Sequence, residues 1–360
     1  MSAAIAAERL LRQHLNRPGP RRPGDLVARL GAVQAQEYPY ARWGLGLRLA
    51  GTPADASIRR AFDAGEILRT HVMRPTWHFV TARDIRWMLE LTAPRVHRVM
   101  ATYNRQLELD APLLTRATVV MGRALERRFL TRTELGAELA RAGLALDARR
   151  LAHAVMHAEL EGVICSGPRR GTQFTYALVA ERAPSAVRLT RDEAVATLTA
   201  RYFGSHGPAT IRDFVWWSGL TSADARRGLD MSRARSRVEN GRVYWTVGRA
   251  PAAPRVPPPR VHLLPIYDEL IVAYRDREAV PHPRVAAVSP TREPVIFQHA
   301  VVIGGQIAGT WRTARRGDGH AVRVVPLRPL TRADHRSIVE AVRRYERFMQ
   351  VPVALTAAVS

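Results

Sequence analysis

A helix–helix–hairpin pattern in residues 131–182 constrains the fold of this chain more than any other feature. Thr131 opens a Thr-x-x-Glu capping box, which predicts the start of a helix. A second helix is expected over residues 147–161, because a glycine follows it directly. Two short apolar segments come next, and the turn between them carries Arg169 and Arg170. Two helices followed by a hairpin with a basic tip are typical of a winged-helix module.

A similar order of elements recurs in residues 188–249. Helices are expected over residues 191–203, 209–217 and 222–230. A hairpin is expected at residues 237–245, where an Asn-Gly dipeptide is a strong signal for a two-residue turn. The repetition predicts a second winged-helix module.

The segments around these two modules differ from them in character. Residues 1–130 are mostly helical by pattern, with a strand-like stretch at residues 67–80, and residues 250–260 form a Pro-rich linker. Short alternating strands follow the linker, at residues 261–264, 270–274, 295–303, 306–311 and 321–325. With a closing helix over residues 332–350 and a final strand, they predict a small β-barrel domain at residues 261–360. A chain of 360 residues is long enough for such a division.

The charge of the chain points to a polyanionic partner. Lys and Arg together number 55 against 32 Asp and Glu, and all 55 are arginine. A GC-rich genome would account for the missing lysines, but it would not account for a net charge of +23. A field of this sign attracts phosphate backbones, and arginine suits bidentate phosphate contacts. Because the charge is spread along the chain, a membrane surface is the weaker interpretation.

Other features of composition narrow the class of protein. No apolar run approaches the roughly 20 residues that span a bilayer, and the N-terminal sequence lacks the basic region of a signal peptide. Cys165 is the single cysteine, so no internal disulfide and no Cys-built metal site is expected. These features predict a cytoplasmic protein.

Three polar pairs are candidates for chemistry. Gln34 and Gln36 are two apart in a segment expected to be extended, so their side chains would point to the same side, although glutamines are usually ordinary surface residues. Asp268 and the following glutamate are candidates for acid/base work, or else pair with an arginine or lie at a solvated strand edge. His153 and the histidine four residues later would need a third ligand to bind a metal, so no metal site is expected, and groove-facing or solvated histidines are the favoured interpretation.

Basic side chains in residues 131–182 are candidates for phosphate contacts. Arg149 and Arg150 lie at the start of the second helix of this segment, and Arg169 and Arg170 lie at the tip of its hairpin. Each is equally well explained as a solvated surface arginine.

Several segments, taken in order along nearly the whole chain, resemble the winged-helix DNA glycosylase family, and most closely its azinomycin-resistance (AlkZ-like) branch. The segments are LGAVQAQEYP from residue 30, RPTWH from 74, DFVWWSGL from 213, LPIYDE from 264 and GTWR from 309. The resemblance implies an α+β fold with three tandem winged-helix modules in a C-shaped arrangement around a concave basic surface, followed by a β-barrel domain. It divides the chain into residues 1–130, 131–182 and 188–249 for the modules and residues 261–360 for the barrel.

The resemblance also implies the site residues. The family's catalytic Gln-apolar-Gln element matches Gln34 and Gln36, and a related branch of broader specificity has an acidic residue at the second position. The family's DNA-probing β-hairpin is matched to residues 312–320, although a wing elsewhere could serve. The DNA-binding candidates in that hairpin are Arg312, Arg315, Arg316 and His320.

A glutamine pair suits one kind of glycosidic bond. An N7- or N3-alkylated purine already carries a positive charge and leaves readily, so the enzyme need only stabilise an oxocarbenium-like sugar and position a water, which amide carbonyls can orient. Because the chain has no lysine, no Schiff base is expected, and the glycosylase would be monofunctional. A base tethered to both strands could not be fully flipped out.

The expected substrate is therefore duplex DNA carrying alkylated purines, bulky natural-product adducts or interstrand crosslinks among them. No cofactor, no membrane and no obligate protein partner is expected, and the protein would act as a monomer in the cytoplasm, associated with the nucleoid. The main alternative is a non-enzymatic winged-helix DNA-binding protein or transcription regulator. A nuclease would need a carboxylate–metal cluster, which the sequence does not offer.

Overall fold

The strands of this chain lie in four separate sheets in the computed structural model, which describes residues 2–252, 258–276 and 298–356. Helices lie before and between the strands of these sheets along the chain. The fold is therefore mixed α+β, as the sequence predicted.

The first segment builds a three-stranded sheet, ordered β1-β3-β2, among six helices of the described chain. Its elements are α1 (Ser2–Arg12), α2 (Pro23–Leu30), β1 (Val33–Gln34), α3 (Tyr38–Gly46), α4 (Asp55–Asp63), β2 (Ile67–Val72), β3 (Arg74–Thr81), α5 (Ile85–Gln106) and α6 (Ala111–Ala124). The strand-like stretch at residues 67–80 is thus a hairpin, which turns at Met73, a non-glycine residue with φ of 64°.

Residues 130–182 follow the predicted order of helices and strands. The elements are β4 (Leu130–Thr131), α7 (Arg132–Arg141), α8 (Ala148–Leu160), β5 (Ile164–Ser166), β6 (Thr175–Leu178) and α9 (Val179–Arg182). The capping box is confirmed, since the Thr131 side chain accepts from the backbone of Glu134 and the Glu134 side chain accepts from the backbone of Thr131. The core of this segment also includes residues of α6, so it begins before residue 130.

Residues 191–246 repeat this order. The elements are α10 (Arg191–Ser205), α11 (Ile211–Ser218), α12 (Ser222–Met231), β7 (Arg235–Glu239) and β8 (Arg242–Thr246). Asn240 and Gly241 both have positive φ, 49° and 70°, which is the backbone that the predicted Asn-Gly hairpin turn requires.

The predicted β-barrel is wrong for the part of the last segment that the structure describes. Its elements are β9 (Val261–Leu264), α13 (Glu269–Val272), β10 (Ala300–Ile303), β11 (Gln306–Arg316), β12 (Gly319–Pro326), α14 (Arg332–Met349) and β13 (Val353–Thr356). The strands form an open sheet, ordered β13-β12-β11-β10-β9. Its apolar residues share a core with α14 and with α3 and other elements of the first segment, so the sheet is covered without closing on itself.

The strand predicted at residues 270–274 is the helix α13. The Asp268 side chain accepts a hydrogen bond from the backbone N–H of Leu270 at 2.9 Å, which is the contact of an N-cap. Residues 295–297 of another predicted strand, and residues 253–257 of the linker, lie outside the described residues.

Strand β1 lies where two hydrophobic cores meet. Val33 and Ala35 belong to the core shared with the last sheet, whereas Ala32 belongs to a core built mainly from β2, β3, α5 and helices α10 to α12. The backbone that carries Gln34 and Gln36 is therefore fixed by packing on both sides.

Candidate active site

Both glutamines of β1 and its extension turn their amide groups towards β3. Gln34, which is 9 % exposed, lies opposite His78 in the sheet, and its Oε1 accepts from Nη2 of Arg74 at 3.2 Å. Gln36 is half-buried, and its Oε1 accepts from the backbone N–H of Trp77 at 3.4 Å. Since Val33 and Ala35 pack into the opposite core, the two amides share one side of the extended segment.

A buried carboxylate from the last segment fixes the backbone of Gln34. Oε1 of Glu269 accepts from the Gln34 N–H at 2.7 Å, and Oε2 accepts from Nε1 of Trp217 at 3.0 Å and lies 3.4 Å from Nε2 of His206. Burial alone would raise the pKa of Glu269, but His206, the Gln34 N–H and Arg74 outweigh it and lower the pKa to about 2. As a carboxylate, Glu269 of the last segment therefore contacts both the first segment, at Gln34, and residues 191–246, at Trp217 and His206.

This carboxylate predicts a pH dependence of stability. Because the pKa of Glu269 falls from 4.5 to about 2 on folding, its contribution is full above pH 4.5 and is lost as the pH falls towards 2. We expect the difference in the free energy of unfolding between the wild type and Glu269→Gln to shrink over this range, in urea titrations at pH 6, 4 and 3. A difference that stays constant from pH 6 to pH 3 would contradict this role.

The neighbouring Asp268 has the arginine partner that was one of its predicted interpretations. Nη1 and Nη2 of Arg48 donate to its two carboxylate oxygens at 2.8 and 2.7 Å, and both side chains are almost fully buried. Nη2 of Arg48 also donates to Oε1 of Gln13 at 2.9 Å. Asp268 thus anchors the start of α13, and with it Glu269, to the first segment.

Arginine and aromatic side chains surround Gln36. Arg69 donates through Nη2 to the Gln36 carbonyl at 3.3 Å, and its guanidinium lies 4.2 Å from the ring centre of Trp77 and 4.5 Å from that of Phe174. Burial lowers the pKa of Arg69 to about 10. The guanidinium of Arg132 lies 5.8 Å from the Trp77 ring on the same side of the molecule. These contacts join β3 to the hairpin of residues 164–178 beside the glutamine pair.

The cavity that borders Gln34 is small. It has a volume of about 10 Å³ and is lined by residues of β1, α3 and the 265–269 turn. A volume of this size holds at most about one water molecule, so this cavity has no room for a purine.

Most of the arginines in residues 131–182 that were predicted to contact phosphates already contact other residues of the protein. Arg149 is exposed, whereas Arg150 donates to the Glu108 carbonyl at 3.3 Å. Arg170 pairs with Glu134 at 2.7 Å, and Arg169 lies 4.1 Å from the centre of the Phe174 ring. Arg149 is therefore the least engaged of the four.

The two histidines of α8 are half-buried and contact α5, so neither is a fully solvated side chain. Nδ1 of His153 is 2.9 Å from Oδ1 of Asn104, and the ring centre of His157 is 5.0 Å from that of His97. Both partners lie on α5, which packs along α8. Sequence spacing could not show this contact, because it joins helices about 50 residues apart.

The arginines of the β11–β12 hairpin are exposed. Arg312, Arg315 and Arg316 lie in β11, and Arg315 is paired in register with His320 of β12. The hairpin contacts the helix that follows Gln36, since the hydroxyls of Tyr40 and Thr313 are 3.3 Å apart. The middle of the hairpin thus lies beside α3, and Tyr40 is four positions after Gln36.

Sequence reasoning missed several residues of this site, namely Glu269 as a partner of Gln34, and Arg74, Trp77 and Arg69. Glu269, Arg74 and Trp77 lie in segments that carry the family resemblance. Nothing in those segments indicates that these three side chains meet at Gln34 and Gln36. Arg69 lies in the predicted strand-like stretch and has no local signal.

Among the described residues, no helix combines the length and apolar character needed to cross a bilayer.

Residues 27–348 match the family model for AlkZ-like DNA glycosylases. The chain is 30 % identical over 236 residues to an interstrand DNA cross-link repair glycosylase of Streptomyces sahachiroi, a match that spans 61 % of this chain and 60 % of that relative. Among solved structures, DNA glycosylase AlkZ of the same organism matches with a TM-score of 0.80 and 24 % identity, over 98 % of this chain and 99 % of that one.

Proposed function

The chain belongs to the AlkZ-like DNA glycosylase family, and on this premise we propose that it hydrolyses the N-glycosidic bond of cationic alkylated purines in duplex DNA. N7-alkylguanines, bulky natural-product adducts and interstrand crosslinks form the proposed substrate class. The observation that carries the proposal is the geometry of Gln34 and Gln36, whose amides are fixed side by side against β3. We propose these two residues as the catalytic pair.

The proposed reaction uses the free acceptor capacity of the two amides. Each Oε1 accepts one hydrogen bond from the protein, and a carbonyl oxygen can accept a second, here from the attacking water. The water adds to C1′ and releases one proton to the solvent, while the purine leaves with the electrons of the broken glycosidic bond, which neutralises its positive charge. The sugar is cationic in the transition state, and the ionised Glu269 beside Gln34 offsets the charge of Arg74.

The product of this route is an intact strand with an abasic site. A lyase needs an amine nucleophile to form a Schiff base, and the sequence has no lysine.

For the architecture, we propose three tandem winged-helix modules, at residues 1–130, 131–182 and 188–249, in a C-shaped arrangement around DNA. The supporting observation is the shared order of helices and hairpin in residues 130–182 and 191–246. We further propose that the protein acts as a monomer in the cytoplasm, on the nucleoid, without an obligate protein partner.

The exposed arginines of the β11–β12 hairpin are proposed to contact phosphates as this hairpin probes the duplex. We expect Arg315→Ala/Arg316→Ala to weaken DNA binding and to reduce the slope of log K against log[salt] by about 0.9 for each phosphate that the variant no longer neutralises. Fluorescence anisotropy with a labelled duplex between about 50 and 200 mM salt measures the slope. Arg141→Ala, which removes an arginine already paired with Glu138, is the matched control and should leave the slope unchanged. Equal slopes for the hairpin variant and the wild type would refute this role of the hairpin.

A binding protein without catalytic activity is the alternative to a glycosylase. The two are separated by incubating duplex DNA that carries N7-methylguanine with excess protein and measuring the released base by chromatography. We expect release by the wild type and none above background by Gln34→Ala/Gln36→Ala, while mobility-shift assays show that both bind the duplex. Binding by the wild type without release of the base would favour the alternative.

A further inference from the structure

Three side chains that commonly bind metals converge where α5 packs against the end of α8. His97 lies on α5, His157 lies in the last turn of α8, and Glu161 is the residue that ends α8. Nε2 of His97 is 2.9 Å from Oε1 of Glu161, and Nε2 of His157 is 3.9 Å from the same oxygen. One potential ligand atom from each residue lies within 4.8 Å of the other two.

The local structure explains why the three groups meet. His157 and Glu161 are four residues apart, which places them on one face of the helix end. His97 completes the cluster from the neighbouring helix, as α5 and α8 pack along each other. His153, one turn earlier on α8, instead contacts Asn104 and stays outside the cluster. The pair His153 and His157 lacked a third ligand in the sequence. The tertiary structure brings further potential ligands close to His157, but not to His153.

The ring nitrogens of the cluster are not used up by hydrogen bonds. Nε2 of His97 and Nδ1 of His157 are both shielded from solvent and have no hydrogen-bond partner in the described structure. The contact between His97 and Glu161 is close, but it lacks the geometry of a hydrogen bond. A buried polar atom without a partner is costly, and a metal ion would satisfy the lone pair of His97.

We propose that His97, His157 and Glu161 bind one divalent transition-metal ion of the zinc class. Two imidazoles and one carboxylate are a common zinc donor set, whereas Mg²⁺ and Ca²⁺ prefer oxygen donors throughout. Tetrahedral bonds of about 2.0–2.1 Å place neighbouring ligand atoms about 3.3 Å apart. The two distances to Oε1 of Glu161, 2.9 and 3.9 Å, bracket this value.

Such an ion would join α5 to α8, and so join the first segment to residues 130–182. His97 and Glu161 are partly exposed, so a water can reach the ion as its fourth ligand. The ion would stabilise the folded protein, because it binds the folded arrangement of two helices that are far apart in sequence.

The test uses the full-length protein without an affinity tag, freed of metal by chelation and then titrated with Zn²⁺ by isothermal calorimetry. We expect one equivalent to bind the wild type, and we expect His97→Ala and His157→Ala each to weaken binding by more than about 100-fold, since even residues that only orient a ligand change affinity about 10–100-fold. His153→Ala is the matched control and should bind like the wild type. Circular dichroism of each variant confirms that it is folded, and Glu161→Gln gives a third, near-isosteric test of the site.

Co²⁺ provides a second measurement that depends on the ligands directly. The wild type and His153→Ala should show the visible absorption of tetrahedral Co²⁺, and Glu161→Gln should lose or shift it. The absence of saturable binding of Zn²⁺ to the wild type would overturn the proposal. Binding that His153→Ala abolishes and His97→Ala leaves intact would also overturn it.

Discussion

Gln36→Ala is expected to lower the single-turnover rate of base release by about 100- to 1,000-fold, the usual cost of removing one group that stabilises a transition state. DNA affinity should change little, because Gln36 is a neutral residue whose side chain bonds to the backbone of Trp77. The measurement is the rate of release of N7-methylguanine from a duplex at saturating protein, with the dissociation constant determined in parallel. The variant separates catalysis from binding better than Gln34→Ala does, since loss of Gln34 also removes a partner of the buried Arg74.

The matched control for this variant is Gln306→Ala, because Gln306 is exposed at the start of β11. It should release the base at the rate of the wild type. A Gln36→Ala protein that keeps the wild-type rate would remove Gln36 from the proposed mechanism. A decrease in rate explained entirely by weaker DNA binding would reduce its role to that of a DNA-binding residue.

Asp268→Ala is expected to destabilise the protein by about 3–5 kcal/mol, because it leaves the guanidinium of Arg48 buried without its carboxylate partner. Loss of the N-cap of α13 would add about 0.5–2 kcal/mol. The free energy of unfolding from urea titration measures the effect. Because Asp268 holds the helix that carries Glu269, the variant should also lose base release when assayed under folding conditions.

Asp192→Ala serves as the control for this variant, since Asp192 pairs with Arg227 at the surface and such pairs contribute about 0–1 kcal/mol. Replacement of both partners, in Arg48→Met/Asp268→Leu, should recover part of the stability, because no buried charge is then left unpaired. A destabilisation of less than about 1 kcal/mol in Asp268→Ala would show that the pair does not hold the turn at residues 265–269 in place.

Local signals in the sequence predicted the elements that depend on near neighbours. Thr131 and Glu134 are three residues apart, and the turn at Asn240 needs only its own backbone, so both followed from the sequence. The two sides of β1 also followed, because the alternation of Val33, Gln34, Ala35 and Gln36 directs successive side chains to opposite faces.

The errors concern contacts between distant residues. The strands after residue 260 were expected to close a barrel, but their apolar face packs against α14 and the first segment, which no local pattern indicates. Residues 270–274 are apolar and include β-branched residues, as expected of a strand. A helix forms there instead, because Asp268 caps its start and is itself held by Arg48, 220 positions away. The hydrogen bond between Gln34 and Glu269 spans 235 positions, so no local pattern could indicate it either.

We propose that this chain cleaves the glycosidic bond of a cationic purine and leaves the strand intact. The most direct test incubates an end-labelled duplex with a single N7-methylguanine, divides the reaction, and heats one half in alkali before electrophoresis. We predict intact strands in the untreated half and cleavage at the modified position in the alkali half, with none for Gln34→Ala/Gln36→Ala. Intact strands in both halves for the wild type, or cleavage without alkali, would contradict the claim.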